Sequence, residues 1–132
     1  MIVVLDSSAA LYELASNVGI DDLARRHDLV APALLWSEVT SVLNELRWRG
    51  EISEELADLA FARLLSAHIA RRSGAAVFRA AGYVAAELGW AKTYDAEFVG
   101  LARSLDAPLY SRDARLVRGV RDIVRTVGPD EL

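Results

Sequence analysis

The sequence predicts an α/β fold built on a mostly parallel β-sheet. Short apolar runs at residues 2–5, 28–32 and 107–111 alternate with longer segments whose apolar residues recur every three or four positions. The first run, Ile2-Val3-Val4-Leu5, is apolar at every position, as a strand covered on both faces of a parallel sheet must be. A chain of 132 residues that is 53% hydrophobic makes one domain, residues 1–132, with enough apolar material to enclose a core.

The elements follow in order. After the strand at 2–5, "SSAALYELAS" reads as a helix with Ser7 or Ser8 as its N-cap and with Asn17 and Gly19 at its end. "DDLARRH" is a short helix, and "DLVAP" at 28–32 is a second strand closed by Pro32. Residues 33–49 form a long helix with Leu35, Val39, Val42 and Leu46 on one stripe, ended by Gly50. Ser53 caps the next helix, which carries Glu54 and Glu55 in its first turn and continues through Leu65. "AHIARRS" is a candidate strand, and residues 75–88 are a helix ended by Gly89. "TYDAEFVGLARSLD" is a helix, "APLYS" at 107–111 a strand, "RDARLVRGV" a short helix and "DIVRTVG" an edge strand. The Ala-rich stretches at 57–67 and 75–86 permit close helix packing, in the core or between chains.

Composition narrows the chemistry. Cys is absent, which excludes disulfides, thiolate ligands and a Cys nucleophile. The two His, at 27 and 68, have no partner at metal-ligand spacing, which argues against a zinc site or a Ser-His-Asp triad. Carboxylates and Arg remain. The net charge of −4 does not suggest a protein that holds nucleic acid through its global field, although a local Arg patch would suffice. No apolar run reaches the roughly 18 residues of a membrane span. The first apolar run has no basic flank and stops at Asp6, so a cytoplasmic protein is expected.

Four acids stand where acids are unusual. Asp6 follows the first strand, and Asp113 follows the strand at 107–111. Both would suit a helix N-terminus, and both lie at carboxyl ends of strands, where open α/β sheets place their functional crevice. Glu38 is three residues from Leu35 and four from Val42, in or beside the apolar stripe of its helix. It either pairs with a buried Arg, reaches out at the stripe's edge, or binds an ion. Asp95 is three and four residues from Phe98 and Val99 and faces inward or nearly so. Glu97 lies on roughly the other side of the same helix, free to serve the helix end or solvent. Four converging carboxylates would repel one another unless a hard divalent cation, Mg2+ or Mn2+, neutralised them. The net charge equals the charge of these four groups.

"VVLDSSAAL", "WSEVTSVL", "TYDAEFVGLA" and "LYSRDARLVR", in that order, resemble the four motifs of PIN-domain nucleases, and the small single-domain type resembles the VapC toxins of VapBC toxin–antitoxin systems. The resemblance covers almost the whole chain. It implies a three-layer α/β/α fold with a central, mostly parallel sheet of four to five strands. It also implies divalent-metal-dependent endoribonuclease activity, a VapB-type antitoxin partner and a homodimer. Carried over by position, Asp6, Glu38, Asp95 and Asp113 match the acidic quartet. Asp6 and Asp95 would be metal ligands, and Glu38 and Asp113 would complete the site directly or through water. Ser8 and Ser111 match the small polar positions beside the first and last acid.

Arg112, Arg115, Arg118 and Arg121 recur at a step of three. If the helix persists they form a basic stripe beside the acids, and Arg112 and Arg115 would touch RNA or antitoxin; a solvated helix face is the alternative. Trp36, Trp48 and Trp90 suit core or interface packing better than base stacking. Two other enzymes on similar sheets fit poorly. A receiver domain needs a Lys late in the chain, and the only Lys is Lys92; a haloacid-type phosphatase needs an acid at position 8, which is Ser. A PIN-like module that binds without turnover would be favoured by a lost acid, and none of the four is lost.

Overall fold

The structure is a computed structural model that describes residues 1–16 and 19–132. Its strands are β1 (Ile2–Leu5), β2 (Asp28–Pro32), β3 (Ile69–Arg72), β4 (Leu109–Tyr110) and β5 (Thr126–Val127). The helices are α1 (Ser7–Ala15), α2 (Gly19–Arg26), α3 (Leu34–Trp48), α4 (Glu54–Ser66), α5 (Ala75–Leu88), α6 (Tyr94–Ser104) and α7 (Ala114–Val120). The five strands form one sheet in the order β3-β2-β1-β4-β5, and every neighbouring pair is parallel. The expected strand at 67–73 is present, and the expected edge strand at 122–128 is the two-residue β5 at the sheet's margin.

Val3, Val4 and Leu5 are all wholly buried, although alternate residues of a strand face opposite ways. Both faces of the sheet are therefore covered, which makes the α/β/α sandwich. Burying each such side chain is worth roughly 1.5–3 kcal/mol. On one face α6 lies across β1, β2 and β4, with α5 packed against it. That packing depends on Gly100: a Cβ there would meet the carbonyl carbon of Ala80 at 2.8 Å and the amide of Ala81 at 3.0 Å. The Ala-rich α5 thus does serve the core, through Ala81, Val84 and Ala85.

Three local expectations change. The cap of α1 is Asp6, whose carboxylate accepts the Ala9 amide at 2.9 Å, and not Ser7 or Ser8. A carboxylate in that place also meets the positive end of the helix. The same helix stops at Ala15 with Ser16 as its C-cap, Asn17 lies outside the described residues, and Gly19 opens α2. The core stripe of α3 is Leu35, Val39 and Leu43, with Val42 and Leu46 only half-buried. By contrast Ser53 caps α4 as expected, accepting the Leu56 amide at 3.1 Å, and Gly89 ends α5 at φ +69°. No helix among the described residues is long and apolar enough to cross a membrane.

Candidate active site

The strand order sets the location. The chain runs outward from β1 through β2 to β3, then returns to lay β4 on the other side of β1. Loops leaving β1 and β4 at their carboxyl ends therefore part in opposite directions and leave a crevice between them. Asp6 leaves β1 and Ser111 leaves β4 at that crevice. The backbone joins the two, with the Asp6 amide donating to the Tyr110 carbonyl at 3.1 Å.

Hydroxyls organise the crevice floor. The Ser8 hydroxyl donates to Asp6 Oδ1 at 2.7 Å, accepts the Arg112 amide at 2.8 Å, and lies 3.5 Å from the Ser111 hydroxyl. Ser111 in turn accepts the Asp113 amide at 3.1 Å. Asp113 caps α7, its Oδ1 accepting the amides of Arg115 at 3.0 Å and Leu116 at 3.3 Å. Both Ser8 and Ser111 thus tie the loop after β4 to the loop after β1. Farther along, Tyr110 is buried, and its hydroxyl donates to Glu13 Oε1 at 2.7 Å, fastening α1 to β4.

Glu38 reaches the same place from α3. Its Oε1 accepts a 2.7 Å hydrogen bond from Ser7. This neutral partner replaces the buried Arg that one reading of the sequence allowed. A cleft of about 770 Å³ is lined by Glu38, Asp95 and Asp113 together. Asp6 lies deeper and is 5% exposed. The four expected acids therefore gather at one end of the sheet: three share the cleft, and Asp6 sits beneath, close enough to feel Asp113 and Glu38.

Burial is the main influence on the carboxyls here, with like-charge repulsion adding to it. Burial pushes the Asp6 carboxyl above its ordinary range, against the Ser111, Ser8 and Ala9 hydrogen bonds that pull it down, and Asp113 adds repulsion. Burial likewise raises Glu38, opposed by the Ser7 hydrogen bond and reinforced by Asp95 and Asp6. Among the described residues every ion pair lies elsewhere, at Asp22, Glu45 and Glu87. Among the described residues none of the four acids forms an ion pair, although Lys92 and Arg115 line the same cleft.

Two orientations differ from expectation. Asp95 is exposed, at the mouth of the cleft, and does not turn toward the core. Glu97 is the half-buried one, raised first by burial and then by Glu38. The reason is that α6 is buried nearly all round from Ala96 onward, at Ala96, Phe98, Val99, Leu101 and Ala102. Its apolar spacing therefore does not define a single inward face. Glu97 and Ser7 are the members of this neighbourhood that sequence reasoning missed. The polar pair Ser7-Ser8 directly after Asp6 was the available signal for the second.

The arginine stripe is also broken. α7 begins only at Ala114, so Arg112 precedes it, and its guanidinium lies 4.0 Å from the Tyr12 ring centroid. Arg115 lines the cleft. Trp36 is covered by Arg71 at 4.4 Å, Trp48 is 83% exposed, and Trp90 lines the cleft half-buried. His27 and His68 border a separate cavity beside Leu29 and Ile69, away from the acids.

The donors at the crevice are all oxygens, which suits a hard divalent cation and not a soft one. Among the described residues no three His, Asp or Glu side chains stand close enough to share one ion. As the side chains lie, one or two carboxylates would contact a cation and water would complete its shell, which is how Mg2+ is commonly held.

A family model described as PIN domain matches residues 3–121, and the chain belongs to the PIN domain family. No curated protein sequence matches it. Among solved structures, PAE2754 from Pyrobaculum aerophilum is 20% identical with a TM-score of 0.77, over 99% of this chain and 94% of that one. VapBC2 from Rickettsia felis, bound to a DNA fragment from its promoter, is 16% identical with a TM-score of 0.71, over 97% of this chain and 98% of that one. VapBC-1 from nontypeable Haemophilus influenzae is 17% identical with a TM-score of 0.62, over the same shares. At these identities the likeness is one of fold.

Proposed function

We propose that the protein is a metal-dependent endoribonuclease, the toxin of a VapBC-type pair, acting in the cytoplasm. The observation that carries this reading is the gathering of Asp6, Glu38, Asp95 and Asp113 at the β1/β4 crevice, none of them in an ion pair among the described residues. Bound there, Mg2+ or Mn2+ would supply positive charge for a phosphodiester oxygen and lower the pKa of water.

Asp6 and Asp95 are the assigned ligands, one anchored in the floor and one at the mouth. Glu38 and Asp113 complete the set directly or through water. The hydroxyls of Ser8 and Ser7 hold one oxygen of Asp6 and one of Glu38, respectively. Glu38 therefore keeps its second oxygen for a ligand or a proton. Ser8 and Ser111 are placed to orient, not to attack, because both hydroxyls are engaged with the loop after β4.

The solved VapBC structures support a VapB-type antitoxin as partner. Exposed Trp48, Leu56, Leu59 and Leu65 on α3 and α4, with Phe78 and Tyr83 on α5, offer apolar surface for that partner and for a homodimer. The test is RNA cleavage by wild type and Asp6→Asn in Mg2+ and Mn2+. Asn keeps the cap of α1 and removes the charge. Wild type is expected to cut and the variant to be inactive while folded. Equal rates in the two, with contaminating nuclease excluded, would refute the assignment. RNA binding without any cleavage by wild type would favour the binding-module reading.

A further inference from the structure

Tyr110 makes two bonds to α1 at once. Its carbonyl accepts the Asp6 amide at 3.1 Å, and the hydroxyl of its wholly buried side chain donates to Glu13 Oε1 at 2.7 Å. Two residues on, the Arg112 amide donates to the Ser8 hydroxyl at 2.8 Å. The bonds at Asp6 and Ser8 grip α1 only around its first turn, about which a helix can still swing or roll. Glu13 lies about two turns beyond Asp6, on the same side of the helix, so its bond opposes both motions. The far end of α1 is held as well, because Arg63 of α4 donates to the Leu14 carbonyl at 3.1 Å.

The pairing is unusual for an acid. Glu13 is half-buried and forms no ion pair among the described residues; a neutral phenol is its partner. Burial first, and then Glu13, raise the Tyr110 hydroxyl well above the ordinary tyrosine range, so it stays a donor.

We propose that Glu13 and Tyr110 are positioning residues, whose bond locks α1 against β4 and so holds Asp6 and Asp113 at the spacing that binds a divalent cation. Asp6 caps α1, and Asp113 is three residues beyond Tyr110 in the loop that leaves β4. A roll of α1 would carry the Asp6 cap and the Ser7 and Ser8 hydroxyls away from that loop. Cation ligands act well only when their supports are rigid. The inference rests on the metal-dependent nuclease reading above and adds two residues to it, neither of which lines the cleft.

The test reads Mn2+ affinity of the intact chain without RNA, from the loss of the free-ion electron paramagnetic resonance signal, beside kcat and KM for RNA. Tyr110→Phe keeps the ring and is expected to weaken Mn2+ binding about fivefold, the scale of one hydrogen bond's net contribution. It should lower kcat and leave KM unchanged. Glu13→Ala should match it, Glu13→Gln should keep near wild-type affinity because it retains an acceptor, and the double variant Tyr110→Phe/Glu13→Ala should be no weaker than either single one. Ser53→Ala is the control: it removes the cap of α4, away from the cleft, and should lower stability without touching Mn2+ affinity.

Unchanged Mn2+ affinity in Tyr110→Phe overturns the proposal, as does an equal loss in Ser53→Ala, additive losses in the double variant, or a wild type that binds no Mn2+. If Tyr110→Phe does not fold, Glu13→Ala against Glu13→Gln decides by the same readout, and equal affinity in those two overturns it. A wild type that binds Mn2+ but leaves RNA whole, with affinity still lost in Tyr110→Phe, strikes only the nuclease reading. A wild type that cleaves, with Mn2+ affinity indifferent to Tyr110→Phe, strikes only the positioning role.

Discussion

The Ser7 hydroxyl donates to Glu38 Oε1 at 2.7 Å, joining the first turn of α1 to the second turn of α3 across 31 residues of sequence. Among the described residues Glu38 has no ion-pair partner, so this bond is what sets the direction of its carboxylate. Ser7→Ala should lower RNA cleavage about tenfold, in line with the loss of an outer partner of a ligand, and Ser7→Thr should retain most of it. Cleavage rates and Mn2+ affinity measured on the same preparations check this. Unaltered values for both would remove Ser7 from the site.

Asp113 has two tasks that substitutions can separate. As the cap of α7 it accepts two amides, and as an acid it faces the cleft. Asp113→Ala should cost about 1 kcal/mol in urea denaturation, whereas Asp113→Asn should lose little of that. Both should lose cleavage. An active Asp113→Asn would show that only its hydrogen bonding matters.

The raised carboxyls set a pH dependence of stability. Asp6, Glu38 and Glu97 bind protons more tightly folded than unfolded. Their contribution is therefore fully present below the ordinary carboxylate range and is lost as pH rises through their higher folded values. Metal-free protein should lose melting temperature over that rise, and saturating Mg2+ should restore part of it. At neutral pH without metal, Asp6→Asn should melt higher than wild type. A melting temperature flat from pH 4 to neutrality, with or without Mg2+, would contradict this.

Two glycines near the α5–α6 contact should respond oppositely. Gly100→Ala puts a methyl against the Ala80 backbone and should destabilise by about 1–3 kcal/mol. Gly82 in α5 is exposed with open space around it, so Gly82→Ala should stabilise by roughly 0.5–1 kcal/mol. Denaturant midpoints of the pair test the close approach directly.

The amino-acid order by itself determined the element types and the positions of the four acids. Those are local matters. An unbroken apolar run after Met1, stop signals at Gly50 and Gly89, and an Asp following each of two strands all act within a few residues. What faces what was decided only in three dimensions. The periodicity of α6 pointed Asp95 inward and Glu97 outward, but a helix wedged between a sheet and α5 is buried nearly all round. Exposure there depends on where neighbouring elements end, not on helical phase. The Ser7–Glu38 bond and the stacking of Arg112 on Tyr12 likewise join segments far apart in the chain. Such contacts arise from the strand order β3-β2-β1-β4-β5, which sets β1 against β4 and brings Asp6 and Asp113 to one crevice. No local propensity encodes that order; it comes from the packing of whole elements.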